Sequence, residues 1–254
     1  MNLRALNRWQ AAAIHVGLSA IIAATVVTVM LVVWYPPPYF NAMGGQRLLK
    51  ILVGVDVTLG PLLTLIIFNP QKKSLRFDLS VIAALQIAAL AYGVWVMFEA
   101  RPVYAAFAMD RFDIVSANQL EPEDLAAGAP EYRDLPLTGP RVVGIRYPDK
   151  DTNTEEWNKL VFTAAAGKDV GEFPKYYVPY ADIAAAVLKK AKPLSTLANN
   201  KPDARTRIQA FVERSGRPES EFVYVPFTGR GDSMTAVLDA RDARIVGYLP
   251  IDPE

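Results

Sequence analysis

The 254-residue chain contains no cysteine and a single histidine, His15. No disulfide can form, a state compatible with an oxidising compartment but found in any other as well. The serines in the second half, Ser195, Ser215, Ser220 and Ser233, have no histidine beyond residue 15 to activate them, so a Ser-His-Asp triad cannot be built there. A lone histidine without Cys, Asp or Glu close by is a poor metal-binding set. His15 is therefore read as a polar packing contact or an interfacial residue. A strong charge of one sign is also missing: 27 Lys/Arg stand against 26 Asp/Glu, without the basic excess that nucleic-acid binding requires.

What the chain has in quantity is apolar sequence. Three long runs, at 11–34, 51–68 and 79–98, fill the first hundred residues. The first has 24 residues and, at about 1.5 Å per residue, is long enough for a hydrocarbon core of about 30 Å. It is too long for the 7–15-residue core of about that size in a cleaved signal peptide, and it ends in WYPPPYF, so it is expected to stay as an anchor. Trp34 and Tyr35 suit a membrane interface, and the prolines at 36–38 stop the helix. The second run is the least regular. Gly60-Pro61 is expected to kink it, and Asp56 needs a polar partner, with Gln86 and Tyr92 as candidates. Three spans are expected.

Arg4 and Arg8 precede the first run, and Lys72, Lys73 and Arg76 crowd the link between the second and third, whereas the other link carries only Arg47 and Lys50. The positive-inside rule then places the N-terminus and the 69–78 link in the cytoplasm, and an odd number of spans exports everything after residue 98. In a bacterial inner membrane the exported part is periplasmic. Residues 1–98 hold seven Lys/Arg and two Asp/Glu, and residues 99–254 hold 20 and 24, so the halves carry +5 and −4. The expected domains are accordingly a three-span region, 1–98, and a periplasmic domain, 99–254.

The second half is long enough for one domain with its own core. VYAAFAMDRFDIV reads as two strands or a broken hairpin, RVVGIRYP as another strand, and EFVYVPFTGRGDSMTAVLDARDARIVGYLPI as strands joined by Gly/Asp turns. TEEWNKLVFTAAAG, ADIAAAVLKKA and ARTRIQAFVER read as helices, the first with Thr154 as a cap and Trp157, Leu160 and Val161 on one face. The fold class expected is a membrane-anchored chain of three transmembrane helices followed by a mixed α+β periplasmic domain, with α/β layering as the alternative.

Motifs that carry chemistry are scarce. Asp56 and Asp78 fall at different depths of the apolar region, which argues against an aspartyl dyad; Asp78 is better placed as a first-turn or N-cap acid. Asp56 itself is open to three roles: an interhelical hydrogen bond, contact with a client helix, or chemistry. The pairs Glu121/Glu123 and Glu155/Glu156 are read as solvated surface. GRGD at 229–232 is read as a turn, glycine supplying positive φ and Asp232 a turn hydrogen bond, ahead of adhesion-type recognition. GVDVTLG lacks the rest of a phosphate loop. No catalytic residue, cofactor or metal is assigned, and the chain is read as a non-enzyme.

The stretch KILVGVDVTLGPLLTLIIFNP at 50–70 resembles the TfpX/TfpZ family of type IV pilin accessory proteins, together with HVGLSA at 15–20, WYPPPYF at 34–40, KKSLRFDLSVIAALQIAALAYG at 72–93 and RPVYAAFAMDRFDIV at 101–115. The resemblance covers about residues 10–120 and is looser beyond 130. It implies a chaperone-like accessory protein that binds or stabilises a type IV pilin or minor pilin at the inner membrane and supports pilus assembly. Inner-membrane assembly proteins and the lipid bilayer are its other expected partners. Candidate client-binding residues are Gly54, Asp56, Thr58, Gly60, Pro61, Thr64, Gln86, Tyr92 and Gly93, which combine close packing with hydrogen bonding, and Arg101 at the domain entry, held by Pro102. The alternatives are a structural subunit of the assembly machinery and an enzyme acting on pilin.

Overall fold

The computed structural model describes residues 6–200 and 202–253, with the side chains of residues 48, 51, 52, 55, 56, 198–200, 202 and 203 outside the description. The first helices are α1 (Arg8–Val29), which runs on as a π-helical turn at Met30–Trp34, the short α2 (Tyr39–Ala42), α3 (Gly45–Ile67) and α4 (Leu75–Glu99). Two compact units result: Met1–Pro36 with Gly45–Ala100, and Pro37–Gly44 with Arg101–Glu254. The segment Pro37–Gly44, which contains α2, thus belongs to the second unit although it lies between α1 and α3 in sequence.

The helical unit is an up-down-up arrangement of α1, α3 and α4. At one end Ala11 of α1, Phe68 just after α3 and Leu75 of α4 form a buried cluster, with Leu6 and Leu79 packed against it. At the opposite end the Tyr35 hydroxyl donates to the Met97 carbonyl at 2.8 Å, and the rings of Trp34 and Phe98 meet edge to face at 5.3 Å. These two sets of contacts place the starts of α1 and α4 together and their ends together, with α3 antiparallel to both. Trp34 and Tyr35 pin α1 to α4 at this end.

Local chemistry sets the helix starts. The Asn7 side chain accepts from Gln10 N–H at 2.9 Å while the Gln10 side chain accepts from Asn7 N–H at 3.0 Å, a capping box that satisfies two backbone donors. Asp78 lies in the first turn of α4, where a carboxylate suits the helix dipole, and pairs with Lys72 at 2.6 Å.

Among the described residues, two helices are long and apolar enough to cross a membrane, Arg8–Trp34 and Leu75–Glu99, where three were expected. In the 23-residue α3 the described apolar part is Val57–Ile67; residues 51, 52, 55 and 56, just before it, lie outside the side-chain description. The unit turns large apolar side chains outward, among them Leu18, Ile21, Leu59, Ile66, Leu85 and Trp95. An apolar exterior of this kind is compatible with a membrane anchor.

The second unit is mixed α+β. Its strands are β1 (Pro102–Ala108), β2 (Arg111–Ser116), β3 (Arg141–Ile145), β4 (Tyr177–Pro179), β5 (Lys192–Pro193), β6 (Phe222–Thr228), β7 (Met234–Asp239) and β8 (Ile245–Leu249). Its longer helices are α5 (Pro122–Ala127), α6 (Thr154–Ala165), α7 (Ala184–Lys190), α8 (Leu194–Asn200) and α9 (Pro202–Ser215). The sheet order is β4-β3-β1-β2-β6-β7-β8, with β5 paired to β6. β1 pairs β2 as an antiparallel hairpin, while β1 with β3 and β2 with β6 are parallel. β1 is buried along its whole length, which is why VYAAFA shows no polar alternation.

Two buried clusters flank this frame. One is built around Val103, Tyr104, Val143, Tyr132 and Tyr177, the other around Leu197, Ile208, Phe222, Tyr224 and Val237, where α8 and α9 cover β6 and β7. On α6 the Thr154 hydroxyl donates to the Lys150 carbonyl at 2.9 Å, and the N-cap position is Asn153, one residue earlier than expected. Leu160 is buried whereas Val161 is exposed, so the inward face of α6 is narrower than the sequence pattern implies.

Candidate functional site

The candidate client-binding residues are not gathered on one open surface. In the helical unit Gly60 and Pro61 are buried, and a Cβ added at Gly60 would lie 1.9 Å from Gln86 Nε2. The Gln86 amide of α4 therefore fills the space that glycine leaves on α3, and the gap expected at Gly60-Pro61 is closed from within the bundle. Thr64, one turn further along α3, is 3% exposed and shares a hydrogen bond of 2.6 Å with His15 Nδ1. This bond links α1 to α3 and gives the chain's one histidine a polar packing role. Unsatisfied polar groups are costly where water is absent, so pairing two polar side chains across helices stabilises the bundle.

Gly54 is half-buried with open space at its Cβ position, and the exposed Thr58 hydroxyl donates to the Gly54 carbonyl one turn back. Gly93 is half-buried. The Asp56 side chain lies outside the described residues, as does any test of its pairing with Gln86 or Tyr92. Tyr92 is 65% exposed and packs against Trp95, ring centroids 5.9 Å apart, on the outward face of α4. Phe77, Val81, Leu85, Tyr92 and Trp95 follow one another at three-, four- or seven-residue spacing and are all exposed, which makes a single apolar and aromatic stripe on α4.

Arg101 belongs to the β-rich unit. It is 4% exposed, its Nε donates to the Pro136 carbonyl at 3.4 Å, and its own carbonyl accepts from Ala117 N–H at 2.9 Å. These bonds fix Arg101 immediately before β1.

The feature missed by sequence reasoning is the segment Pro37–Gly44. Tyr39 is buried, its ring 5.4 Å from Phe227 and 6.3 Å from Tyr248, both edge on. Burial pushes its phenol well above the ordinary value, so it stays neutral. Ala42 is fully buried and its carbonyl accepts from Gly231 N–H at 2.8 Å. The glycines of the GRGD turn serve this contact: a Cβ on Gly229 would sit 2.3 Å from the Ala42 carbonyl oxygen, and one on Gly231 would sit 2.3 Å from Gly44 N. Positive φ occurs at Gly44, Gly139, Gly167 and Gly216, so glycine at 229 and 231 provides room and not the left-handed backbone expected there. A signal was present in the sequence, since a link containing Tyr39, Phe40, Ala42 and Met43 is too apolar to be left in water.

Elsewhere in this unit the Asp239 carboxylate, 1% exposed, accepts from Arg241 Nε at 3.0 Å and Arg217 at 2.8 Å. The Arg241 side chain and backbone donors, with Arg217, hold its carboxyl well below the usual range. A separate groove of about 540 Å³ is lined by Phe107, Met109, Ile145, Tyr147, Ile183 and Lys190, among others. Among the described residues, no three His, Cys, Asp or Glu side chains come together as a metal-binding set.

A family model described as fimbrial assembly protein FimB matches residues 3–44. Two proteins of Dichelobacter nodosus, the fimbrial assembly proteins of serogroup I and serogroup E1, are each 34% identical to the chain over 203 residues, covering 77% of it and 78% of the relative. The chain belongs to the fimbrial assembly protein family. A further relative from Dichelobacter nodosus, the fimbrial assembly protein of serogroups C1 and C2, is 40% identical over 114 residues, 44% of this chain and 87% of the relative. No solved structure matches. The stretch matched by the family model takes in α1 with His15, which bonds to Thr64, Tyr35, which bonds to Met97, and the whole of Pro37–Gly44.

Proposed function

We propose that this fimbrial assembly protein is an inner-membrane accessory protein of the TfpX/TfpZ type, which holds a type IV pilin or minor pilin before its incorporation into a pilus. The observation that carries the reading is the match to fimbrial assembly proteins across 77% of the chain, in a protein whose first unit turns its apolar side chains outward. A pilin held before assembly presents an apolar helix in the bilayer, and an apolar helical unit meets it in the same medium. The role is one of binding and positioning, without catalysis.

The parallel run of α1 and α4 supports the three-span reading. Two parallel crossings need a return crossing between them, and α3, about 34 Å long at 1.5 Å per residue, is the element available for it. The charge asymmetry of the links favours a cytoplasmic N-terminus and a periplasmic β-rich unit. Within the bundle Gly60, Gln86, Thr64 and His15 engage one another, so the client surface is assigned to the outward stripe of α4 that includes Tyr92.

The test is a pulse-chase of pilin in cells with and without this protein, combined with analysis of sheared pili. A shortened pilin lifetime and loss of pili, with the protein absent from the sheared filaments, is the expected result. Stable incorporation into finished pili would overturn the reading in favour of a structural subunit. Release of a covalently altered pilin by the purified protein would overturn it in favour of an enzyme.

A further inference from the structure

The link between α1 and α3 is treated by the sheet as one of its own elements. Tyr39 fills a seat formed by Phe227 of β6 and Tyr248 of β8, Ala42 is fully buried, and Met43 is 8% exposed. The β6–β7 turn meets this segment backbone to backbone, through the 2.8 Å bond from Gly231 to Ala42 and through two glycines that have no room for a side chain. Gly44, with φ of +70°, then redirects the chain into α3. Such close backbone approach tolerates only glycine.

We propose that Pro37–Gly44 is a permanent strap, and that the Gly229–Arg230–Gly231 turn with Phe227 and Tyr248 is its receptor. The strap completes the β6–β7–β8 side of the sheet, so the β-rich unit depends on residues that precede α3. Within the same unit Arg101 is fixed by the bonds to Pro136 and Ala117.

The chain's lack of cysteine makes the test direct. Asn41→Cys combined with Arg230→Cys, two exposed positions bordering the contact, should crosslink in the full-length protein in membranes upon mild oxidation. The pair Asn41→Cys with Lys159→Cys on α6 serves as control. Expected results are a crosslink yield at least tenfold above the control, and unchanged pilus assembly with the strap locked. In parallel, Tyr39→Ala should speed hydrogen exchange of β6–β8 amides at least tenfold, and Tyr39→Phe, which keeps the ring, should leave it near the parent rate. A crosslink yield no higher than the control overturns the seat. Unaltered exchange in Tyr39→Ala overturns the dependence of the sheet on the strap, and lost assembly on locking overturns its permanence.

Discussion

Gly231→Ala adds one methyl group where the structure leaves no space for it. The new Cβ would lie 2.3 Å from Gly44 N, 2.7 Å from Gly44 Cα and 3.0 Å from the Asn41 carbonyl oxygen. Ordinary contact needs about 3.5–4.0 Å between such atoms, so the strap must retreat by more than about 1 Å. All three obstacles are backbone, and no rotamer change relieves them. The retreat breaks the Gly231 to Ala42 hydrogen bond, worth about 1 kcal/mol net, and adds the strain of an overpacked contact, about 1–3 kcal/mol. The sum is about 2–4 kcal/mol. At about 2–4 °C per kcal/mol for a unit of this size, the β-rich unit should melt about 5–15 °C lower. The assay is limited proteolysis of detergent-solubilised full-length protein at stepped temperatures, scored for cleavage between residues 222 and 249. Gly17→Ala, where a Cβ meets nothing within 4 Å, is the control and should leave that midpoint unchanged. A Gly231→Ala midpoint within about 2 °C of the parent would refute the steric argument.

The remaining expectations concern other sites. Gly60→Ala should weaken the α3–α4 contact by about 1–3 kcal/mol in a denaturation assay in mixed micelles, and Gln86→Ala in the same chain should recover most of the loss, since the clash is with the end of that side chain. Thr64→Val removes the bond to His15 and should cost about 0.6 kcal/mol and no more than about 1.7 kcal/mol in the same assay. Burial, opposed by Arg111 and assisted by Asp169 and Asp110, raises the Asp113 carboxyl to about 6. The folded protein then holds a proton that the unfolded chain releases near pH 4, so stability falls as pH rises from about 4 to 6 and levels off above. Asp113→Asn should flatten that slope in thermal melts of the β-rich unit. Asp239 has the opposite sign: its depressed carboxyl contributes stability that is complete above the unfolded value near pH 4 and is lost as the pH falls through the folded-state value, and Asp239→Asn should remove this acid-side loss.

The long apolar runs made the helices of the first unit legible, and strand-like stretches such as VYAAFA and RVVGI announced β1 and β3 because β-branched and aromatic residues between polar breaks have few other uses. The pairing partners were not legible. The parallel joins of β1 with β3 and β2 with β6 depend on packing across long sequence separations, which local patterns do not record. The candidate residues on α3 and α4 share only their type, small or polar groups in an apolar helix. Such groups satisfy one another before they meet a partner, as Gly60 with Gln86 and Thr64 with His15 demonstrate. GRGD was recognised as a turn, yet the reason for its glycines lies about 190 residues earlier, in a segment whose prolines suggested only the end of a helix.

The proposed function has a pilin docked on the outward face of α4 within the membrane. Site-specific photo-crosslinking in living cells tests it most directly, with probes at Leu85, Tyr92 and Trp95 on that face, at Thr64 inside the bundle, and at Phe162 on the β-rich unit, each followed by mass spectrometric identification of the captured protein. Pilin crosslinks are expected from the α4 positions and none from Thr64. Strong crosslinks from α4 only to fixed assembly-platform proteins, with no pilin captured at any position, would contradict it.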